Sequence, residues 1–319
     1  MKIGLDVLGG DFAPKATLHG AIIAQKELPD SDKIVLIGDK EVILSFCKEE
    51  GISHDLFEIV DAPDMIEMDE QPTKALVNKP NSSISVGFRL LKHKEIHAFC
   101  SAGSSGAMMV GSIYSVNTIQ GIIRPSTPAY FPKEGGGFTV LIDAGTNPDA
   151  KPDVMYQFGL LGSLFAEHVY RITTPRVGLL NIGSEEKKGS LASQSAFQLM
   201  KDSKDYNFIG NVEGRELFRD NVDVIVCDGF VGNIVLKQVE AMYRVLHKRG
   251  INDSYLERFN YENYGGTPIL GINSTVVMGH GISNSNAIRS MIMLTRDVHE
   301  AKLSIKIKHA LEKYSLNNL

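Results

Sequence analysis

Residues 222–233 read VDVIVCDGFVGN, and the run from Val222 to Cys227 is apolar on both faces of an extended chain. A strand with one wet face alternates apolar and polar residues. A strand apolar on both faces has helices covering either side, as in parallel sheets. The stretch therefore predicts a central parallel strand that exits through Asp228 and Gly229.

Strand and helix patterns alternate outward from it. Segments 2–6, 33–37, 58–61, 139–143 and 176–181 read as strands. Segments 18–26, 153–170 and 190–201 read as helices. Asp39 is placed to cap a helix carrying Val42, Ile43, Phe46 and Cys47 that stops at Gly51, and Ser82 or Ser83 to cap one ending near Lys92. This alternation predicts a doubly wound α/β fold. No repeat, low-complexity tract or Gly/Ser linker marks a boundary. The chain reads as a single α/β/α catalytic domain over 1–319. One polar and aromatic interruption, 244–266, gives a short helical excursion at about 236–262.

The 319 residues are 43% hydrophobic and 22% charged, as expected of a globular protein. The net charge of −5 gives nucleic-acid binding no electrostatic support. Cys47, Cys100 and Cys227 form no CxxC pair, so neither a zinc site nor a disulfide framework is expected. No signal-peptide pattern opens the chain, and no apolar run approaches the ~18 residues of a membrane span. The expected compartment is the cytoplasm.

In open α/β sheets, ligands gather where strands end. The first strand exits through Asp6 into Gly9, Gly10 and Asp11. The stretch HAFCSAGSSGAMM, 97–109, exits through Ser101, Gly103, Ser104, Ser105 and Gly106. Later exits carry Asp143 and Asn147, then Asn181, Gly183, Lys188 and Gly189, then Asn211, then Asp228, Gly229, Gly232 and Asn233. His280 sits in a late glycine-rich loop. Each exit alone is explained by a turn, and 101–106 by a serine N-cap. Their repetition, with asparagines beside glycines, points to an edge that handles phosphate and an oxyanion. Nucleotide motifs fail: LGGDFAP is not GxGxxG, and GSEEKKGS is only loosely like a P-loop. No nucleophile elbow and no metal spacing among the nine histidines is found, so neither cofactor nor metal is expected.

Taken in order, GLDVLGGDFAP, SAGSSGA, IIRPS, LIDAGTN, GLLNIGSEEKKG, FIGNVEGRELF, DVIVCDGFVGNIVLK, YGGTPILG and GHGISNSNAI resemble the bacterial phosphate acyltransferases of phospholipid synthesis. The resemblance runs from residue 1 to about 290. It implies a three-layer α/β/α fold similar to isocitrate/isopropylmalate dehydrogenases and phosphotransacetylases, usually dimeric. It implies transfer of a fatty acyl group from the acyl carrier protein thioester to inorganic phosphate. The acyl phosphate then goes to a membrane glycerol-3-phosphate acyltransferase. Phosphate is itself the nucleophile, so no Ser or Cys need attack.

Two stretches depart from the family pattern. SAGNTGA is here SAGSSGA, and VGAN is here AGTN, so Ser104 stands where the family has an amide. The helical hairpin after Lys237, whose apolar tip meets the membrane in relatives, is short here. Met242, Tyr243, Val245, Leu246, Tyr255, Leu256 and Phe259 are left to form one short apolar face, for a dimer partner or for peripheral membrane contact.

Lys188, Asn147, Asn181 and Asn233 are the candidate catalytic residues; a solvated lysine and turn-stabilising amides are the plain alternatives. Arg244, Lys248 and Arg249 are the candidate docking patch for the acidic carrier protein, with Lys302, Lys306, Lys308 and Lys313 as the competing set. The rival readings are a phosphotransacetylase using acyl-CoA, an isocitrate-type dehydrogenase, and a carrier-binding scaffold without turnover. The dehydrogenase should show an acidic metal cluster and a nucleotide loop, and the sequence has neither.

Overall fold

A computed structural model describes residues 1–317; the side chains from Lys313 onward, including that of Lys313 itself, lie outside the described ones. The chain opens with β1 (Lys2–Asp6), α1 (Lys15–Glu27), β2 (Lys33–Gly38), α2 (Lys40–Glu49), β3 (Glu58–Asp61) and α3 (Pro72–Asn78). It continues through α4 (Ser83–Lys92), β4 (Ala98–Ser101), α5 (Ser105–Gly111), β5 (Pro128–Pro132), β6 (Phe138–Ile142) and α6 (Pro152–His168). Then come β7 (Arg176–Leu180), α7 (Leu191–Met200), β8 (Asn207–Val212), β9 (Val224–Val226) and α8 (Gly229–Lys248). Last are β10 (Thr267–Pro268), β11 (Thr275–Met278), α9 (Ser285–Glu300) and α10 (Leu303–Asn317).

The strands form two sheets, and the chain divides into two compact units, 1–118 with 261–300, and 119–260 with 301–319. Neither unit is continuous in sequence, and the crossings carry no Gly/Ser linker.

The first unit holds a six-stranded sheet in the order β10-β11-β4-β1-β2-β3, parallel except for β10. Val35 and Ile37 of β2 pack in a cluster with Ile84, Phe88 and Phe99, on the side of α4. Ile34 and Leu36 alternate with them and are fully buried too, so both faces of this sheet are covered. β1 turns towards β2 in one direction and β4 in the other, which makes their junction a switch point where ligand crevices form.

The second unit holds five strands in the order β5-β6-β9-β7-β8, with only β5 antiparallel. β9 is its central strand, as the opening stretch predicts. Ile225 clusters with Val235, Leu236 and Val239 of α8. On the other face, Val224 and Ile142 lie against Gly162 of α6. Burying each such side chain contributes about 1.5–3 kcal/mol.

Asp39, Ser82 and Ser190 cap helices, each side chain accepting from a first-turn N–H. The excursion departs from expectation. α8 runs unbroken to Lys248 and is followed by short 3₁₀ turns. Its apolar residues do not share one face. Met242 and Val245 are half-exposed, whereas Phe259 packs on Phe218 and the Tyr255 hydroxyl donates to the Pro132 carbonyl. Tyr255 and Phe259 are thus drawn inward, as Leu246 and Leu256 are in part, and Met242 and Val245 stay outside.

Candidate functional site

Because β6, β9, β7 and β8 are parallel, their C-terminal ends share one edge of the second unit's sheet. Asp143 follows β6 there and is fully buried. Its Oδ1 accepts from the N–H groups of Gly145 (3.2 Å) and Thr146 (3.1 Å); its Oδ2 accepts from the Asn147 N–H and side-chain amide, each at 2.7 Å. The Asn147 amide also donates to the Pro125 carbonyl at 2.8 Å. An amide nitrogen has two hydrogens, so both donors of Asn147 are engaged in bracing the loop.

That loop receives α8. The Gly229 N–H donates to the Asn147 carbonyl at 2.8 Å, and Asp228 caps the helix by accepting from the Val231 N–H at 2.8 Å. A β-carbon at Gly232 would run into the Asp143 carbonyl, so only glycine lets the helix approach so closely. One residue later, Asn233 is exposed and lies beside Gly145. Among the described residues no hydrogen bond engages its amide.

The β7 exit uses the same device. Asn181 donates to the Lys188 carbonyl and to Asn211 Oδ1, each at 3.1 Å, and its own Oδ1 accepts from the Ile182 N–H. Asn211 in turn donates to the Glu185 carbonyl at 2.9 Å. Gly189, at φ +89°, passes against the Asn181 amide in a backbone conformation that side chains disfavour. Gly183 is buried beside the Lys188 stem. The Lys188 ammonium lies 3.9 Å from Glu185, beyond hydrogen-bond distance, and its side chain is half-exposed.

In the first unit, β1, β4 and β11 end together. Ser101 donates to the buried Asp6 carboxyl at 2.6 Å, and the Gly103 N–H donates to the Ser101 hydroxyl at 2.9 Å. Burial pushes the Asp6 pKa up, against hydrogen bonds from Ser101, Ser83 and nearby N–H groups that pull it down. Gly9 packs over this pair, and the Asp11 N–H, just past Gly10, donates to the Gly281 carbonyl at 2.7 Å. These loops, with Ser83, Ser104 and Met65 to Met68, enclose a cavity of about 170 Å³ at the switch point. The Ser104 hydroxyl is the N-cap of α5, accepting from the Ala107 N–H at 3.3 Å, with exposed Ser105 next. Gly106 makes room for Pro72. So the turn chemistry of 101–106 is present in full beside the cavity. The His280 ring meets Tyr261 edge-on at 5.5 Å.

The profile of a family described as fatty acid synthesis protein matches residues 1–249. The chain is 40% identical to a phosphate acyltransferase of Pelotomaculum thermopropionicum over 334 aligned positions, covering 98% of this chain and 95% of that one. The chain belongs to the phosphate acyltransferase family. Two solved structures share its fold: EutD phosphotransacetylase from Staphylococcus aureus, at 14% identity, with a TM-score of 0.64 over 94% of each chain, and a 4-hydroxythreonine-4-phosphate dehydrogenase from Klebsiella pneumoniae, at 12% identity and TM-score 0.56 over 93% of this chain and 98% of that one.

This phosphate acyltransferase family member offers no thiol for attack. Its three cysteines are buried and free, and burial pushes Cys100 up to about 12 and Cys227 well above the ordinary thiol range. The patch residues Arg244, Lys248 and Arg249 stand at the far end of α8. Helix rise puts Arg244 ~22 Å and Arg249 ~30 Å along the axis from Gly229. Arg244 shares Glu240 with Lys237. Asp6 stands out in the sequence as a carboxylate at the end of an otherwise apolar first strand, whereas Ser83 reads there only as a possible helix cap. Its bond to Asp6 carries no local signal, because that partner is 77 positions away in the chain.

Proposed function

We propose that this chain moves a fatty acyl group from the thioester of acyl carrier protein to inorganic phosphate. A phosphate oxygen attacks the thioester carbonyl, the C–S bond breaks, and the departing thiolate takes up a proton. The products are acyl phosphate and free carrier protein. One observation carries the reading: at the second unit's strand edge, among the described residues, the Lys188 ammonium makes no hydrogen bond and has Glu185 as an ion partner at 3.9 Å, and the Asn233 amide on the first turns of α8 makes no hydrogen bond, beside loops that Asn147, Asn181 and Asn211 hold in place. A cation and an amide suit a phosphate and a developing oxyanion, and a donor of this kind contributes about 10²–10³-fold. Gly9, Gly10, Asp11 and Gly103 to Gly106 are assigned to substrate binding at the first unit's polar cavity.

The test is phosphate-dependent loss of the acyl carrier protein thioester, with the product trapped as a hydroxamate by hydroxylamine. Loss only when phosphate is present supports the reading. A folded enzyme that leaves the thioester intact refutes it and favours a carrier-binding scaffold. Preference for acyl-CoA over acyl carrier protein moves the chain to the phosphotransacetylase reading.

The carrier is assigned to Arg244, Lys248 and Arg249, so its acylated arm must span at least ~22 Å of helix. Reversing the three to Glu is expected to raise the carrier KM and flatten its salt dependence, with phosphate KM unchanged. If reversal of Lys302 and Lys306 does this instead, the patch is on α10 and its approach. Phe230, Ile234, Met242 and Val245 of α8 are 51–61% exposed. Apolar exposure of this kind supports a homodimer contact or peripheral attachment at the membrane where a glycerol-3-phosphate acyltransferase consumes the product. Among the described residues no helix is long and apolar enough to cross a membrane. Sedimentation and vesicle flotation separate the two contacts.

A further inference from the structure

A second cavity, of about 490 Å³, lies in the first unit among α3, α4, α5 and the π-helical turn 112–116 that continues α5. Its walls are mostly apolar, with Leu76, Val77, Pro80, Phe88, Val110 and Tyr114 interrupted by the hydroxyls of Thr73, Ser85 and Ser115. Val77 and Tyr114, on its rim, are 74% and 72% exposed. Among the described residues lining it, Arg89 alone carries charge. Its guanidinium has a 3.5 Å contact to the Pro80 carbonyl, at the limit of a hydrogen bond, and no carboxylate among the described residues lies within 4.0 Å. Single π-turns that continue an α-helix are frequent at functional sites.

An apolar cavity with one uncompensated cation selects an amphiphile with an anionic head. Size narrows the class. An apolar cavity of about 150 Å³ accepts benzene, so this one has room for roughly twenty heavy atoms. That is a saturated chain of about sixteen carbons with its head group.

We propose that this cavity binds a long-chain acyl anion, with the alkyl chain between α3 and α5 and the carboxylate or phosphate head at Arg89. The choice of a fatty chain rests on the acyl transfer proposed above; the volume, the apolar lining and the cation do not. Two sources share this chemistry, a free fatty acid and the acyl phosphate product.

The test titrates the full-length chain, below micelle-forming concentrations, with hexanoate, decanoate, palmitate and hexadecylphosphonate, the last standing in for the acyl phosphate head. The readout is displacement of a fluorescent fatty acid. Affinity is expected to rise about three- to fourfold per methylene. Val77→Asp and Arg89→Glu, both at exposed positions, are expected to weaken palmitate at least tenfold. Tighter binding of palmitate marks a fatty acid site, and tighter binding of the phosphonate marks a product site. Equal affinity for hexanoate and palmitate overturns the proposal, as does wild-type binding in both variants. So does a Val77→Asp variant that changes sedimentation while binding palmitate normally, which makes the cavity an interface between copies. The hydroxylamine assay is run in parallel. If it fails in wild type while chain-length-dependent binding persists, the acyl-transfer reading falls and the cavity stands.

Discussion

The side-chain amide of Asn181 donates to the main-chain carbonyl of Lys188 at 3.1 Å, holding the lysine's loop without touching its ammonium group. The two residues therefore separate support from chemistry. Lys188→Ala removes a half-exposed side chain, so it should lower turnover by ~10²-fold and leave the thermal midpoint in place. Asn181→Ala also removes the donor to Asn211, so stability should drop by about 1–2 kcal/mol along with activity. Melting curves measured beside steady-state kinetics check the contrast. A Lys188→Ala enzyme with parental turnover makes it a solvated loop lysine.

Asn147 and Asn233 should respond differently to aspartate. At 147 a second carboxylate would sit 2.7 Å from Asp143 Oδ2 and lose the bond to Pro125, so the protein should be strongly destabilised. At 233 the amide is exposed, so Asn233→Asp should fold normally while placing negative charge against phosphate. Its phosphate KM should rise more than that of Asn233→Ala. Equal phosphate KM values for the two variants would assign Asn233 to the turn.

Gly232→Ala tests the close approach of α8 to Asp143. The new methyl meets a main-chain carbonyl that has no rotamer to relieve it, and overpacking of this kind costs about 1–3 kcal/mol. A lowered denaturation midpoint, with turnover reduced because Asn233 moves too, is the expected pair of results.

Acid stability should report on Asp223. Burial by itself raises its pKa, but bonds from Arg176 and Lys133 outweigh burial and hold it at about 2, below the ordinary 3.8. A depressed carboxylate stabilises the fold above its unfolded value and loses that contribution as pH falls through the folded one. The contribution is therefore present at neutral pH and lost between about pH 4 and about pH 2. Lys133 and Asp223 are each 6% exposed and pair at 2.7 Å. Asp223→Asn leaves the lysine buried without its charge partner, a loss of roughly 3–5 kcal/mol. Acid unfolding of the two proteins should show both effects.

Thiol reagents should leave the native enzyme active. Cys47, Cys100 and Cys227 are buried, and each is held above the ordinary thiol range by that burial. Reaction should require unfolding, and turnover should persist after hours of exposure. Rapid inactivation with one thiol modified would bring a cysteine back into the mechanism.

The regular elements were legible where a local pattern sufficed. Asp39 and Ser82 announced their helices through caps. The run 222–228 announced a central strand through its two apolar faces. α3 and β5 were missed because both are short and begin with proline. The opening turn of α5 carries both the N-cap reading and the neighbouring cavity, so local sequence had no means of choosing between them.

The amino-acid sequence by itself determined the α/β alternation, the family, and the set of glycine, asparagine and lysine residues at strand ends. These are local properties: periodicity, capping and spacing are written within a few residues of one another. Only the tertiary structure decided which of those side chains hold loops and which keep their donors. Asn147 and Asn233 look alike in sequence, each an amide near a glycine. One is engaged by Asp143 and Pro125, while the other stays exposed on the first turns of α8. The division into two discontinuous units was equally hidden, because strands join a sheet by hydrogen bonds between segments far apart in the chain, as β4 does with β11 where Thr275 pairs with Ala98, and no local pattern records that partner.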